Sequence, residues 1–491
     1  MRNCLMVFLG VGLAGMLACG SSDGTVVSGD IDLVADAVVA DEGISADTSV
    51  ADDSSRTDLV SVDDNVQPDV PVTVDTVVTD TVLTDAADVP KSFEWDASAT
   101  PNCVDGFCAA GVDSAPDPMQ PGPFPVGLRR IVMEDPSQKN YDGTPRMLVT
   151  EIWYPTTKEF YDSHPKFEYD IKADAMLTPG YEDLAAKIGD IDVGTFPVDA
   201  VKDAPVRHGD GRFPLVMFSH GAFGIRYQSI FYTVPLASHG YIEFSPDHEK
   251  NSLYDLIQSG YSGDHLGDSA FARPKDIQFL MNKMVDWDKD PTNDFYKSIE
   301  SDNVGITGHS FGGYTCFAAT YFADENGFSE MDPRVKVIVP QAPAGYLMGV
   351  LGIYGPDWHL PTLIEGGEMD NTLEFDQAFK SPWLELGTPK WFLDIKRGGH
   401  FTFSDLCKLN LLEVADKLGY DDAKNALTDG CGPDNWDYRE AQKAINLYSI
   451  AAFNRVLRHS EVSAKYMTPS AGAGFAPEIE FLVEEQTMAA K

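Results

Sequence analysis

The stretch from Asn303 to Tyr314 constrains the fold more than any other part of the sequence. A short apolar run with a β-branched bias leads into Gly-His-Ser-Phe-Gly at residues 308–312, and small and apolar residues follow. This order predicts a strand, a sharp turn and a buried helix. Gly308 and Gly312 suit such a turn, because strand and helix pass close beside the serine. Ser310 is therefore a candidate nucleophile, and an ordinary glycine-rich turn is the alternative.

Strands and helices alternate around this stretch. Residues 213–219 form an apolar run typical of a strand buried on both faces. Further strands are predicted at residues 146–155, 241–248, 335–340, 362–366 and 390–395, and helices at residues 230–240, 273–284 and 438–457. The second of these helices has a proline near its predicted first turn. The alternation predicts an α/β fold, with a mainly parallel central sheet flanked by helices.

A serine nucleophile needs an imidazole to accept its proton and a carboxylate to orient that imidazole. Both groups are expected just beyond the carboxyl ends of later parallel strands. Asp370 and His400 fit, and the order serine, aspartate, histidine is that of α/β-hydrolases. Glu368 is a competing acid, and Asp394 is a weaker one.

The other histidines have alternative explanations. His309 is expected to pack or hydrogen-bond near the turn, and His220 to orient its own loop. The residues that could form a metal pair are His248 and His265 with Asp247 and Asp264. They lack paired spacing on one helix face, so neither a metal nor another cofactor is predicted.

Ester chemistry also needs two N–H donors where negative charge develops on the carbonyl oxygen. The amide of Phe311, directly after the candidate nucleophile, is the first predicted donor. The second is expected in the loop after residues 213–219, at Ala222, with Phe223 as the neighbouring alternative.

The amino-terminal residues predict export. A basic start is followed by an apolar run too short to span a membrane comfortably, and small residues surround Cys19. Met16-Leu17-Ala18-Cys19 resembles the lipobox of bacterial lipoproteins, which implies a signal peptide over residues 1–19 and a lipid anchor on Cys19. The expected location is a membrane-anchored one, on the periplasmic face or the cell surface. An ordinary secreted protein is the alternative.

Residues 20–100 are predicted to form a disordered, acidic, Asp/Val/Thr-rich linker. They hold 19 acidic and two basic residues, which contribute −17 of the chain's net charge of −41. From Ser21 to Ser92 there is no Phe, Trp, Tyr or Cys. Such a segment cannot bury enough apolar surface to offset the entropy of ordering it. Because the remainder is also acidic, nucleic acid is excluded as a partner. Calcium binding is a weaker alternative, since no EF-hand spacing is present.

The cysteines outside the leader predict two disulfides in an exported protein. Cys103 and Cys108 bracket a four-residue loop, and Cys407 and Cys431 flank a segment with its own helical pattern. Two buried thiols are the alternative for the second pair. Cys316, on the helix after Ser310, is expected to be a small buried residue.

Residues 213–221, 236–241 and 308–313 carry a family resemblance. Together they resemble the plasma-type platelet-activating factor acetylhydrolases and the related dienelactone hydrolase and polyester hydrolase branches. The resemblance extends roughly from Arg130 to Leu457. It implies an α/β-hydrolase domain, placed here at residues 121–480, with a serine esterase site that needs no cofactor.

The resulting hypothesis is a serine hydrolase that cleaves carboxylic esters of small molecules or lipids. Short-chain acyl esters, including the sn-2 acetyl type of phospholipid, are the expected substrates. The alternatives are a polyester or dienelactone hydrolase, and a catalytically silent binding protein that keeps the fold. Tyr346 to His359 departs from the family pattern and is expected to be an insertion or a lid, which leaves acyl and alcohol specificity open. Oligomeric state is also left open.

Overall fold

The computed structural model describes residues 117–485, apart from residues 209–210, 262, 325–326, 352–357 and 421–422. Before residue 117 it describes only the backbone of four short strands, which pair as two antiparallel hairpins. These are β1 (Leu5–Met6), β2 (Leu17–Ala18), β3 (Asn102–Val104) and β4 (Phe107–Ala110). Apart from β1 and β2, the predicted leader, Cys19 and the acidic linker lie outside the described residues, so these stay predictions.

A ten-stranded sheet forms the centre of the molecule. Its strands, from one edge to the other, are β18 (Ile479–Glu484), β17 (Lys390–Ile395), β16 (Thr362–Gly367), β15 (Val335–Gln341), β12 (Ile299–His309), β10 (Phe213–Ser219), β11 (Ile242–Pro246), β6 (Pro145–Pro155), β5 (Val126–Lys139) and β9 (Val201–Lys202). The six strands from β17 to β11 run parallel, whereas β18 and β6 pair antiparallel with them. The predicted mainly parallel α/β fold is confirmed.

The central strands are apolar because helices cover both faces of the sheet. All seven residues of β10 are buried, and so are all six of β16 and of β17. The longer helices are α4 (Ile230–Ser238), α5 (Leu253–Ser259), α6 (Gly263–Lys289), α7 (Phe311–Ala318), α10 (Leu411–Leu418) and α12 (Tyr438–Leu457). Along α12, Ala441, Ile445, Tyr448 and Phe453 pack into the main core, as helical spacing predicts.

Shorter elements complete the fold. The short helices are α1 (Lys158–Ser163), α2 (Ile171–Met176), α3 (Leu184–Ile188), α8 (Tyr346–Leu351), α9 (Ser381–Glu385), α11 (Ala423–Thr428) and α13 (Glu461–Ala464). Two further antiparallel pairs are β7 (Phe167–Asp170) with β8 (Thr195–Val198), and β13 (Tyr321–Asp324) with β14 (Gly327–Met331). Single 3-10 or π-helical turns lie at Asp376–Lys380, His400–Phe403, Asp405–Lys408 and Pro469–Phe475.

The structure differs from the sequence prediction at several elements. Helix α6 begins at Gly263, so Pro274 lies inside the helix and not near its first turn. The prediction omitted β5, β18 and the β13–β14 pair, and the predicted domain end at residue 480 falls inside β18. Residues 156–210, to which no element was assigned, form three short helices and β7 to β9 around a second apolar core.

The predicted insertion at Tyr346 to His359 is anchored at both described ends. Met348 on α8 and Trp358 are buried in the main core. Residues 352–357 between them lie outside the described part, so the lid stays a prediction. Within the described ranges, no helix is both long and apolar enough to cross a membrane.

Candidate active site

The backbone at Ser310 has the strained geometry of a strand-to-helix turn. Ser310 lies between β12 and α7 with φ 59° and ψ −116°, a region that residues other than glycine rarely adopt. Its amide donates to Gln341 O at 2.8 Å, which helps to hold the turn. A Cβ on Gly312 would lie 1.8 Å from Ser219 O, and one on Gly308 would lie 2.5 Å from the same oxygen. The two glycines are therefore required by the close approach of β10, as predicted.

Asp370 and His400 meet just beyond the carboxyl ends of β16 and β17. His400 Nδ1 lies 2.7 Å from Asp370 Oδ2, and the two side chains are 4% and 0% exposed. The other oxygen of Asp370 accepts from the amides of Thr372 and Leu373, at 2.9 and 2.7 Å. The carboxylate is thus fixed by its own loop and directed at the imidazole, which is the arrangement an acid needs to orient a base.

The competing acids are bound elsewhere. Lys396 Nζ lies 2.8 Å from Glu368 Oε1 and 2.7 Å from Asp394 Oδ2. Burial raises the pKa of Asp394 to about 6, although Lys396 partly opposes that shift. The structure therefore brings Asp370 to His400 and leaves Glu368 and Asp394 in a separate ion-pair group.

His309 connects the serine turn to the histidine loop. Its Nε2 donates to the His400 carbonyl oxygen at 2.9 Å, and its Nδ1 lies 3.1 Å from Gln228 Nε2. The rings of His309 and His400 pack with centroids 4.7 Å apart. Among the described contacts, no hydrogen bond joins the Ser310 hydroxyl to His400. Catalytic hydrogen bonds of this kind are often long until substrate binds.

Asp429 joins the two loops that carry the acid and the base. Its Oδ2 accepts from the Asn371 amide at 2.9 Å and from Thr372 Oγ1 at 2.8 Å, and its backbone oxygen accepts from the Phe401 amide at 2.7 Å. The side chain is buried, and its Oδ1 has no partner among the described residues. Sequence reasoning missed this residue, because Asp-Gly at 429–430 indicates only a turn.

The charges around His400 set its protonation. Burial disfavours the charged imidazole, but the charge and hydrogen bond of Asp370 and the charge of Asp429 outweigh it and raise the pKa of His400. Burial also raises the pKa of Asp370, against the effect of His400. His309 stays neutral, because burial and the neighbouring His400 hold its pKa well below the ordinary histidine value.

This arrangement predicts the acid limb of the pH–rate profile. Only the neutral imidazole can accept a proton, so activity is lost as pH falls through the pKa of His400. Because that pKa is raised, we expect the limb of kcat/KM to lie above pH 6.5, the ordinary value. Asp429→Asn keeps the hydrogen-bond acceptor and removes the charge, so its limb should move to lower pH. An unchanged limb in that variant, or a wild-type limb below pH 6.5, would contradict the assignment.

A disulfide joins Cys407 to Cys431, as predicted. It links the turn at Asp405–Lys408, which follows His400, to the segment that carries Asp429. Cys316 is fully buried, with its Sγ 3.3 Å from Gly312 O. The backbones of Cys103 and Cys108 lie opposite each other in the β3–β4 pair, but their side chains lie outside the described residues, so that disulfide stays a prediction.

Removing the bond is expected to affect both stability and rate. Closing a loop of this length contributes roughly 3 kcal/mol in the chain-entropy model, so Cys407→Ser with Cys431→Ser should lower Tm by about 4 °C. The rate should fall as well, because the segment holding Asp429 is released. Reductant should reproduce both changes in the wild type and have a smaller effect on the double variant, which keeps only the predicted Cys103–Cys108 bond. An unchanged Tm and rate would show that the bond does not hold the loop.

The two backbone amides predicted to bind an oxyanion have no competing acceptor in the described part of the chain. Neither the Ala222 amide nor the Phe311 amide donates a hydrogen bond among the contacts of the described residues. The Phe223 amide, the predicted alternative, donates to Asn251 O at 3.1 Å and is already occupied. A Cβ on Gly221 would lie 3.4 Å from Ser310 Cβ, which shows how closely this loop approaches the serine. Ala222 and Phe311 thus stay the predicted donors.

Of the residues considered for a metal pair, His248 and Asp247 are engaged separately, and the side chain of Asp264 lies outside the described residues. His248 contacts Ser219 Oγ and Asp276 Oδ2, each at 2.8 Å, and Asp247 pairs with Arg226. His220 contacts Gly221 O at 2.7 Å through Nδ1 and accepts the His248 amide at 3.0 Å, so it orients its own loop. Burial, Arg273 and His248 hold the pKa of His220 well below the ordinary value, so it is neutral.

The sheet order and the positions of Ser310, Asp370 and His400 define an α/β-hydrolase-fold protein with a serine-hydrolase type of site. Residues 111–258 match the family model described as platelet-activating factor acetylhydrolase, isoform II. That match includes the loop of Ala222 and ends before Ser310.

Two curated relatives carry the same name. The chain is 24% identical over 251 residues to platelet-activating factor acetylhydrolase of Canis lupus familiaris, covering 43% of this chain and 54% of the relative. It is 24% identical over 247 residues to the protein of that name from Bos taurus, covering 43% and 53%. The chain therefore spans about half the length of these relatives.

A solved structure supports the fold over a larger share of the chain. The ferulic acid esterase from Streptomyces cinnamoneus has a TM-score of 0.51 and 22% sequence identity, covering 73% of this chain and 96% of that chain. At this identity the similarity establishes the α/β-hydrolase fold alone.

Proposed function

We propose that this chain is a carboxylic ester hydrolase that works through an acyl-enzyme on Ser310. The observation that carries the proposal is the 2.7 Å contact between His400 Nδ1 and Asp370 Oδ2, held beside the strained turn of Ser310. An ordinary surface histidine has no need of a buried carboxylate partner, whereas a general base does. The ester hydrolases among the similar proteins support the same reaction class.

Each step uses groups already described. As Ser310 Oγ attacks the ester carbonyl, His400 Nε2 takes its proton and Asp370 stabilises the imidazolium. The amides of Ala222 and Phe311 donate to the oxygen on which negative charge develops. His400 then gives the proton to the leaving alcohol, and an acyl-enzyme remains. Water, deprotonated by His400, attacks the acyl carbonyl and releases the acid and the free serine.

The proposed substrates are short-chain acyl esters, including acetyl esters of phospholipids. The names of the canine and bovine relatives refer to an acetylhydrolase, which supports a small acyl group. Polyester or dienelactone hydrolysis is the alternative within the same chemistry. A silent binding protein is disfavoured, because such a protein has no use for a complete and buried acid–base pair.

The test combines labelling with turnover. A fluorophosphonate probe should label the wild-type protein on the peptide that contains Ser310, and prior inhibition should block hydrolysis of p-nitrophenyl acetate. p-Nitrophenyl esters of increasing acyl length then measure the acyl preference. A protein that neither reacts with the probe nor hydrolyses an ester of any length would be the silent scaffold.

We further propose that the protein is exported and anchored to a membrane through acylated Cys19, facing the periplasm or the cell surface. The proposal is supported by the lipobox-like segment at residues 16–19 and by the acidic linker that would follow it. Cys19→Ser should abolish acylation and membrane association while ester hydrolysis is retained. Unmodified wild-type protein recovered in the soluble fraction would overturn this proposal.

A further inference from the structure

Arg273 on α6 contacts both segments whose amides are proposed to bind the oxyanion. It is fully buried. Its Nη1 donates to the His220 carbonyl oxygen, and its Nη2 donates to Gly221 O at 2.9 Å and to Asn251 Oδ1. The guanidinium carbon lies 4.8 Å from the centre of the Phe311 ring, in a cation–π position. One side chain therefore contacts the carbonyl oxygen of the Gly221–Ala222 peptide and the ring of Phe311.

Arg273 differs in its ionic environment from two other buried arginines, Arg226 and Arg146. Arg226 is paired with Glu151, Asp174 and Asp247, and Arg146 with Asp276. Arg273 instead donates to carbonyl and amide oxygens, and no carboxylate pairs with it among the described residues. Burying a charge without a paired carboxylate is costly. Burial lowers its pKa, yet a guanidinium keeps its proton inside proteins.

The contact with Gly221 O bears directly on the chemistry. The Gly221 carbonyl and the Ala222 N–H belong to one peptide unit and point in opposite directions. A cation that binds the carbonyl oxygen polarises the unit and strengthens its N–H as a donor. We propose that Arg273 is a positioning residue that holds and polarises the Gly221–Ala222 peptide for oxyanion binding. This inference rests on the proposed function.

The proposal specifies which kinetic constant changes. The amide acts on the charge that develops in the transition state and acts little on the bound ester, so kcat should fall while KM stays constant. Removing one oxyanion donor outright costs on the order of 10²–10³ in kcat, and Arg273→Lys should cost about 10- to 100-fold. A lysine keeps the charge but cannot reach all the acceptors of the guanidinium. Arg273→Met, which also removes the charge, should lower kcat further than Arg273→Lys does.

The experiment compares these variants with wild-type protein on p-nitrophenyl acetate. The acid limb of the pH profile should be unchanged, because His400 and its partners are untouched. Binding of a boronic acid, whose serine adduct carries an oxyanion-like oxygen, should weaken in parallel with kcat. A folded Arg273→Lys variant with a kcat within twofold of wild type would overturn the proposal. So would a fall in kcat/KM that comes entirely from a higher KM.

A variant that fails to fold does not end the test. Asn251→Ala keeps the buried charge and removes one acceptor that orients the guanidinium, so kcat should fall about three- to tenfold at constant KM. An unchanged kcat in folded Asn251→Ala would then overturn the proposal. Wild-type protein without esterase activity would instead refute the proposed function, so the two failures are distinguishable.

Discussion

Ser310→Ala is expected to lower kcat/KM for p-nitrophenyl esters by at least about 10⁴-fold and to abolish labelling by a fluorophosphonate. The loss corresponds to about 5 kcal/mol of transition-state stabilisation, since each tenfold change equals 1.36 kcal/mol. Among the described non-glycine residues with a positive φ, Ser310 is the one that carries a hydroxyl. Alanine keeps the same φ of 59°, so Tm should stay within a few degrees of the wild type.

Cys316 offers the matched control for that variant. It lies on the helix that follows Ser310, and it is fully buried. Burial raises the pKa of its thiol well above the ordinary value, so it has little thiolate character. Cys316→Ala should therefore keep both the label and most of the activity. Labelling that persists in Ser310→Ala would remove Ser310 from the mechanism.

Asp370→Asn is expected to lower kcat by about 10³- to 10⁴-fold with little change in stability. The amide oxygen can still accept from the Thr372 and Leu373 amides, so the loop should keep its shape. Its nitrogen, however, would donate to His400 Nδ1. The imidazole would then carry its proton on Nε2, and that atom could not accept the proton of Ser310.

Glu368→Gln is the matched control for the acid. Glu368 lies two residues earlier on the same loop and pairs with Lys396. The exposed ion pair contributes little, so activity should stay within about twofold of the wild type. Equal losses of kcat in Asp370→Asn and Glu368→Gln would show that His400 needs an intact loop and not the Asp370 carboxylate.

The sequence predicts those features that local pattern determines. Apolar runs identify the buried parallel strands, and the glycines around Ser310 indicate the turn, because β10 leaves no room for a Cβ there. The order of serine, aspartate and histidine then identifies the pair that the structure joins. The Phe311 amide is predicted as an oxyanion donor because Phe311 directly follows the candidate nucleophile.

Features that depend on distant contacts were not predicted. Asp429 matters because it bonds to two loops, and Arg273 because it contacts the carbonyls of a third. Neither has a local signature, since an aspartate before glycine suggests a turn and an arginine on a helix suggests solvent. The start of α6 was misplaced for a similar reason: Leu266 and Ala270 pack against the core and extend the helix before Pro274.

The hydrogen bonds of Asp429 and the disulfide of Cys431 also bear on the timing of biosynthesis. A growing chain that has just passed residue 400 already contains Ser310, Asp370 and His400, but it lacks the residues that fasten their loops together. Synthesis from residue 310 to residue 431 takes on the order of ten seconds, and the disulfide requires an oxidising compartment as well. Helix α12 and β18 come later still. Under the proposed function, an unfinished chain inside the producing cell would hydrolyse esters poorly, and full activity would be reached only by the nearly complete, oxidised protein.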